Sequence, residues 1–303
     1  DFRAAVQPTI HGENFVLRVL DAKRGIVEYR KLGLTEDQYY LLDLMLARPE
    51  GIILVTGPTG SGKTTTLYSV LSHMNDESVN IMTLEDPVEY PITRIRQTSI
   101  SDGSKIDFSD GVRSLMRQDP DIILVGEVRD KDTAEMAFRA AMTGHQVFST
   151  LHTNSALRSF QRIKDLGVSP EVMAGNIIGI VAQRLVRRVC VHCREEVQVT
   201  EGSIEARLIG AHAVGRTVYR AHHGGCEACG FQGYKGRLAI MELLRMDSML
   251  DELITRNATL GELTAHAMAH GFAPMAEDGL RRVLEGITTV EEVGRVVDLT
   301  AKL

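Results

Sequence analysis

An α/β fold built on a mainly parallel, twisted sheet is predicted by three features of the chain. Short apolar runs of strand length alternate with segments of helical periodicity from residue 37 to 188. A glycine-rich turn, GPTGSGKT at residues 57–64, falls between one such strand and one such helix. The composition, 44% hydrophobic and 24% charged over 303 residues, is that of a globular chain long enough to bury a large core.

IHGENFVLRVL, residues 10–20, opens with turn chemistry and ends in alternation, Phe15, Leu17 and Val19 against Val16, Arg18 and Leu20. It reads as a strand leaving a sheet. Residues 1–28 are therefore expected to be the C-terminal part of a small N-terminal α+β domain. The first residues, DFRAAVQ, show neither an initiator Met nor the charged-then-apolar pattern of a secretory leader, so the chain is expected to be cut from a longer one. Residues 29–36 read as a linker, the end of the charged connector DAKRGIVEYRKLGL. Thr35 then caps a helix over TEDQYYLLDLMLARPEG, with early acids, apolar residues at helical spacing and a Pro-Glu-Gly stop.

The expected core, 37–188, continues as GIILVTG (strand), a helix from Lys63, NIMTLED (strand), a helix near FSDGVRSLMRQ, DIILVGE (strand), a helix over 131–143, and QVFSTLHT (strand). Residues 189–240 form a cysteine-bearing subdomain. Residues 241–303 read as short amphipathic helices with breaks at Asn257-Ala258-Thr259 and His270-Gly271. No repeat or low-complexity tract interrupts this order. The longest apolar runs, GIILV and NIIGIVA, are well short of the roughly 20 residues that cross a bilayer, so no direct membrane insertion is expected. A net charge of −6 and a pI near 6.0 argue against nucleic acid as a partner.

All four cysteines fall in two C-x-x-C pairs, Cys190 with Cys193 and Cys226 with Cys229. Four thiolates at this spacing fit tetrahedral zinc, whereas disulfide or redox use would need an oxidising compartment that no leader sequence indicates. The stretch from 193 to 226 exceeds the usual ribbon spacing, so a small subdomain must fill it. The glycines of HHGGCEACGFQGYKGR supply its turns. His192, His222 and His223 read as solvated loop histidines, because four thiolates already complete a zinc shell.

GPTGSGKT matches the phosphate-loop pattern in its required strand–turn–helix setting. Gly57, Thr59, Gly60, Ser61 and Gly62 would turn backbone amides toward phosphates, Pro58, which has no N–H, would belong to the turn that holds them, and Lys63 would meet the β and γ oxygens. Thr64 is the expected Mg²⁺ ligand, and Thr65 is an accessory candidate for nucleotide binding. The strand IILV, expected beside the phosphate-loop strand, ends in Gly126 and Glu127. Gly126 stands where such strands usually carry a metal-binding Asp, so Glu127 is expected to activate water rather than to bind the metal directly. The alternative is a strand-end glutamate paired with Arg129. TLEDPVEY offers Glu85, Asp86 and Glu89, of which Glu85 is the expected second acid near Mg²⁺. Asp86, before Pro87, and Glu89 fit structural roles equally well.

GPTGSGKTT, TLEDPVEY, RQDPDIILVGEVRD and TGHQVFSTLHTN, in this order and followed by two C-x-x-C pairs, closely resemble the type II secretion and type IV pilus assembly ATPases over nearly the whole chain. The resemblance implies a RecA-like P-loop ATPase core, ATP, Mg²⁺ and Zn²⁺ as cofactors, and a cytoplasmic homohexamer. That ring would be held at the inner membrane through a platform protein and a cytoplasmic linker protein. It implies that His145 and His152 belong to a histidine box, with His152 sensing the γ-phosphate, against the bottom-up reading of a structural histidine. It also implies that Arg3, Arg18, Arg113 and Arg117 approach the nucleotide, against a reading of each as a surface ion pair. The tetracysteine favours assembly over retraction motors. A nucleotide-gated scaffold, or a DNA-moving or uptake motor, is the competing reading.

Overall fold

The computed structural model describes residues 2–19, 26–100 and 107–300, without the side chains of residues 2, 3, 18 and 19. The connector at 20–25 lies outside this set. β1 (Phe2–Thr9) and β2 (Gly12–Val19) pair antiparallel as a hairpin, which places Arg3 opposite Arg18 in register. Thr35 caps α1 (Glu36–Leu46) through a capping box with Gln38, as the sequence predicts.

The core follows in order: β3 (Gly51–Thr56), α2 (Lys63–Met74), β4 (Ile81–Glu85), β5 (Arg96–Ser99), α3 (Phe108–Leu115), β6 (Ile122–Val125), α4 (Lys131–Met142), β7 (Gln146–Leu151), α5 (Arg158–Asp165), α6 (Pro170–Met173) and β8 (Ile177–Val189). Continuous apolar runs such as GIILVT form strands buried on both faces, as a parallel sheet covered by helices requires. Alternation then sorts β3 between two cores. Ile52 and Leu54 pack with α4, α5 and the C-terminal helices, while Ile53 and Val55 pack with α1 and α2.

Beyond β8 come β9 (Glu195–Gln198), α7 (Ile204–Ile209), β10 (Thr217–Arg220), β11 (Tyr234–Arg245), α8 (Ser248–Thr255), α9 (Leu260–Ala269), α10 (Met275–Leu284) and α11 (Val290–Val296). Among the described residues the main sheet has seven strands, ordered β11-β8-β3-β7-β6-β4-β5. All neighbours run parallel except β11, which lies antiparallel on β8.

Two expectations are corrected here. Residues 241–245 were expected to be helical, but they complete β11: the run LAIMELL is too short for its period to decide, and pairing with β8 decides it. β6 was expected beside the phosphate-loop strand, but β7 lies between them. The breaks expected near 257 and 271 do occur, with Asn257 and Gly271 at φ +55° and +89°. No helix among the described residues is long and apolar enough to cross a membrane.

The cysteine-bearing segment is fastened to the C-terminal helices. Val199, Leu208, Ile209 and Val218 share a small core with Leu280 and Val283 of α10 and Val293 of α11. Glu292, buried on α11, accepts from Arg187 on β8 (Nη2 at 2.7 Å) and from Arg295 (2.7 Å). Burial acts to raise its pKa, but these cations outweigh it and hold the carboxyl down to about 2.

Candidate functional site

The carboxyl ends of β3, β7, β6 and β4 open onto one cleft of about 450 Å³, a volume suited to a small-molecule ligand. Two other cavities, about 840 Å³ beside α1 and α10 and about 440 Å³ beside α5 and α9, do not touch the glycine-rich turn.

That turn is shaped by close approach. A Cβ on Gly57 would meet Ser61 Oγ at 2.5 Å and the Gln183 carbonyl at 2.6 Å. Gly60 and Gly62 adopt φ of +79° and +90°, which L side chains rarely adopt. Gly62 caps α2 without any side-chain bond, which leaves first-turn amides for an anion. Ser61 Oγ is buried and has no hydrogen-bond partner among the described residues, so the loop holds an unanswered polar group where a phosphate oxygen would bind. Lys63 Nζ donates to the Gly57 carbonyl at 2.8 Å and to that of Pro58 at 3.2 Å. Burial lowers its pKa, Glu127 opposes this, and Arg184 adds to it. Thr59, Thr64 and Thr65 line the cleft and are exposed, and Pro58 is exposed without lining it. These residues fit a triphosphate.

Glu127 is reached from two sides. His152 Nε2, just past β7, stands 2.8 Å from Oε1, and Arg129 Nη2 stands 2.7 Å from Oε2. Its side chain is only 17% exposed. Burial acts to raise its pKa; Arg129, then His152 and Lys63, outweigh it and hold the carboxyl below the usual range. The Arg129 pairing weighed from the sequence is present, but within the cleft and shared with His152. Because β7 intervenes between β3 and β6, its end delivers His152 next to Glu127.

Glu85, 5% exposed at the end of β4, lines the same cleft. Its carboxylate accepts from Tyr68 Oη on α2, from Thr83 Oγ1 at 2.5 Å and from Gln97 Nε2 at 3.3 Å. Gly126 explains how the two acidic strand ends approach. A Cβ there would lie 3.1 Å from the Leu84 carbonyl and 3.2 Å from Glu85 Cα, so the glycine admits the backbone that carries Glu85. Asp86 is exposed, with Oδ2 3.7 Å from Arg129 Nη1, and the Glu89 amide donates to Tyr68 Oη.

The remaining histidine and arginine expectations fare differently. His145 precedes β7, roughly 20 Å of strand from the cleft, and its Nδ1 lies 3.0 Å from the Ala140 carbonyl at the end of α4. It finishes a helix and does not enter the site. Arg113 pairs with Asp110 at 2.9 Å and Arg117 donates to the Arg113 carbonyl; neither lines the cleft within one chain. The side chains of Arg3 and Arg18 lie outside the described residues.

Sequence reasoning passed over Gln183 and Arg184. Gln183, fully buried on β8, donates to the Ser61 carbonyl at 2.7 Å and accepts from Thr66 Oγ1 at 2.9 Å, tying the phosphate turn and the first turn of α2 to β8. Arg184 donates to the Asn154 carbonyl at 3.1 Å, just past His152. Buried Glu242 on β11 then binds the Ala156 and Met275 amides at 2.6 and 2.9 Å. A polar Gln-Arg pair inside the apolar run IIGIVAQRLV was the available clue.

The four cysteine sulfurs lie within 4.8 Å of one another, with Cys190–Cys226, Cys193–Cys229 and Cys226–Cys229 at 3.8, 4.0 and 3.9 Å. A tetrahedral zinc with bonds of about 2.3 Å needs edges of about 3.8 Å, while a disulfide needs about 2.05 Å, so the spacing fits zinc. The Cys226 amide is foremost in pulling the Cys229 thiol down to about 6, while burial pushes the Cys193 thiol up to about 12. His192, His222 and His223 are exposed and stand outside the cluster.

The family described as Type II/IV secretion system protein matches residues 1–295. Type II secretion system protein E of Pseudomonas aeruginosa is 45% identical over 297 residues, covering 98% of this chain and 58% of that protein. Type IV pilus assembly ATPase TfpB of Acinetobacter baylyi is 43% identical over 300 residues, covering 99% and 51%. The chain thus spans little more than half the length of these curated relatives. Among solved structures, the pilus retraction motor PilT with bound ADP aligns with a TM-score of 0.71 at 30% identity, over 100% of this chain and 75% of that one. The Legionella pneumophila ATPase DotB aligns with a TM-score of 0.70 at 22% identity, over 97% and 72%, a likeness of fold.

Proposed function

Starting from the Type II/IV secretion system protein family, to which the chain belongs, we propose that the protein hydrolyses ATP and works as a motor for a secretion pseudopilus or a type IV pilus. The observation that carries this reading is the meeting of Glu127 and His152 at 2.8 Å in the cleft that also holds Lys63 and the phosphate turn. The turn amides and Lys63 bind the triphosphate, and Glu127, kept ionised, accepts the proton of the attacking water. His152 orients Glu127 and the terminal phosphoryl group. Mg²⁺, held by Thr64 with Glu85 nearby, would neutralise charge on the β and γ oxygens.

The chain acts as a cytoplasmic homohexamer attached to the inner membrane through a platform protein and a cytoplasmic linker protein. Arg3, Arg18, Arg113 and Arg117 serve the nucleotide of a neighbouring copy, a reading supported by the placement of Arg113 and Arg117 away from their own cleft. Zn²⁺ in the four-cysteine cluster braces the subdomain. The tetracysteine and the likeness to an assembly ATPase support assembly rather than retraction.

Glu127→Gln tests the chemistry. The variant is expected to bind ATP with near wild-type affinity while phosphate release falls by on the order of 10² to 10⁴. Undiminished phosphate release would remove Glu127 from the reaction; absence of release from the wild-type protein would favour the nucleotide-gated scaffold.

A further inference from the structure

A carboxylate offers about four acceptor sites, and three side-chain donors reach Glu85 among the described residues. Thr83 donates to Oε1, as does Gln97 through an amide shared with Tyr68 Oη and the Tyr90 carbonyl, while among the described residues Tyr68 alone donates to Oε2. One site remains, on the oxygen that Tyr68 holds. The phenol is equally constrained. Its oxygen accepts from the Glu89 amide at 3.3 Å and from Gln97 Nε2 at 3.4 Å, so its proton is left for Glu85. Burial, then the bond to Glu85, pushes the phenol pKa up, and the proton stays on the tyrosine. The ring is fully buried and packs edge-on against Tyr90, with centroids 4.7 Å apart at 80°, so it is placed without help from the hydroxyl.

We propose that Tyr68 is a positioning residue for Glu85: from the helix opened by the phosphate turn, its hydroxyl fixes the carboxylate so that the one open acceptor site serves water in the cleft. The inference rests on the ATPase reading above and deepens it. Tyr68 sits five residues beyond Lys63 on α2, so a helix set by bound phosphate also sets the acid at the end of β4. The hydrogen bond from Tyr68 to Glu85 ties α2 to the end of β4 outside the ladder of the sheet.

The test is a double-mutant cycle on the whole protein. Tyr68→Phe is expected to lower kcat by on the order of 10-fold to 100-fold, with ATP affinity within about twofold and the melting temperature lower by only a few degrees, as the loss of buried hydrogen bonds requires. On a Glu85→Gln background the same change is expected to cost nothing further. 3-Fluorotyrosine at position 68, which keeps both ring and hydroxyl, is expected to restore kcat to within about twofold of wild type. Unchanged kcat in Tyr68→Phe, an equal loss on both backgrounds, or a fluorotyrosine protein as slow as the Phe variant would overturn the proposal. Wild-type turnover separates this from its premise: normal turnover with an unaffected Tyr68→Phe sinks only the positioning role, whereas no wild-type turnover sinks both.

Discussion

At the scale of single residues the site is a contest over one carboxylate. Burial disfavours the charge on Glu127, and Arg129, His152 and Lys63 restore it. Arg129 is the most effective of the three, so Arg129→Ala is expected to raise the pKa of Glu127. The ionised form is the one that accepts a proton, so the acid limb of the kcat–pH profile should move to higher pH. A limb that stays put would separate Glu127 from turnover. Lys63 and the glycines could be read from the sequence because their pattern is local. The partnership of Glu127 with His152 could not, because 24 residues and a strand crossing separate them. His145 shows the converse. It lies in the same motif as His152, yet the length of β7 puts it at the wrong end of the strand.

At the scale of elements, strand order decides which chemistry meets. β7 lies between β3 and β6, and β4 beyond β6, so the cleft collects His152, Glu127 and Glu85 along one sheet edge. Gly126 is part of that arrangement: it leaves room for the end of β4. Restoring the more usual Asp there is expected to harm the protein. Gly126→Asp would press a Cβ against the Leu84 carbonyl and Glu85 Cα, costing about 1–3 kcal/mol of stability without tighter Mg²⁺ binding. Calorimetry and a Mg²⁺ titration of nucleotide binding check this, and a stable variant with tighter Mg²⁺ binding would show the position to be a lost ligand. The strands β3 and β6 were legible because unbroken apolar runs mark strands buried on both faces. β11 was not, since LAIMELL, six apolar residues around Glu242, fits a helix as well as a strand until β8 pairs with it.

At the scale of the whole molecule, the cysteine-bearing segment shares a core with α10 and α11, and Glu292 ties α11 to β8 through Arg187. Removal of the proposed zinc should therefore loosen more than the cysteine loops. A chelator is expected to remove stabilisation on the order of 10 kcal/mol from this segment, with amide exchange rising across 190–233 and into α10 and α11 while β3, β6 and β7 stay protected. Exchange confined to the cysteine loops, or metal analysis finding no zinc, would undo that coupling. The sequence by itself determined the phosphate turn, the alternation of strands and helices, and the tetracysteine, because each depends on neighbours close along the chain. Only the tertiary structure decided that β7 parts β3 from β6, that β11 closes the sheet, and that Tyr68, Gln183 and Gly126 shape the cleft. Those outcomes depend on hydrogen bonds and contacts between segments tens to more than a hundred residues apart, where periodicity along the chain carries no information.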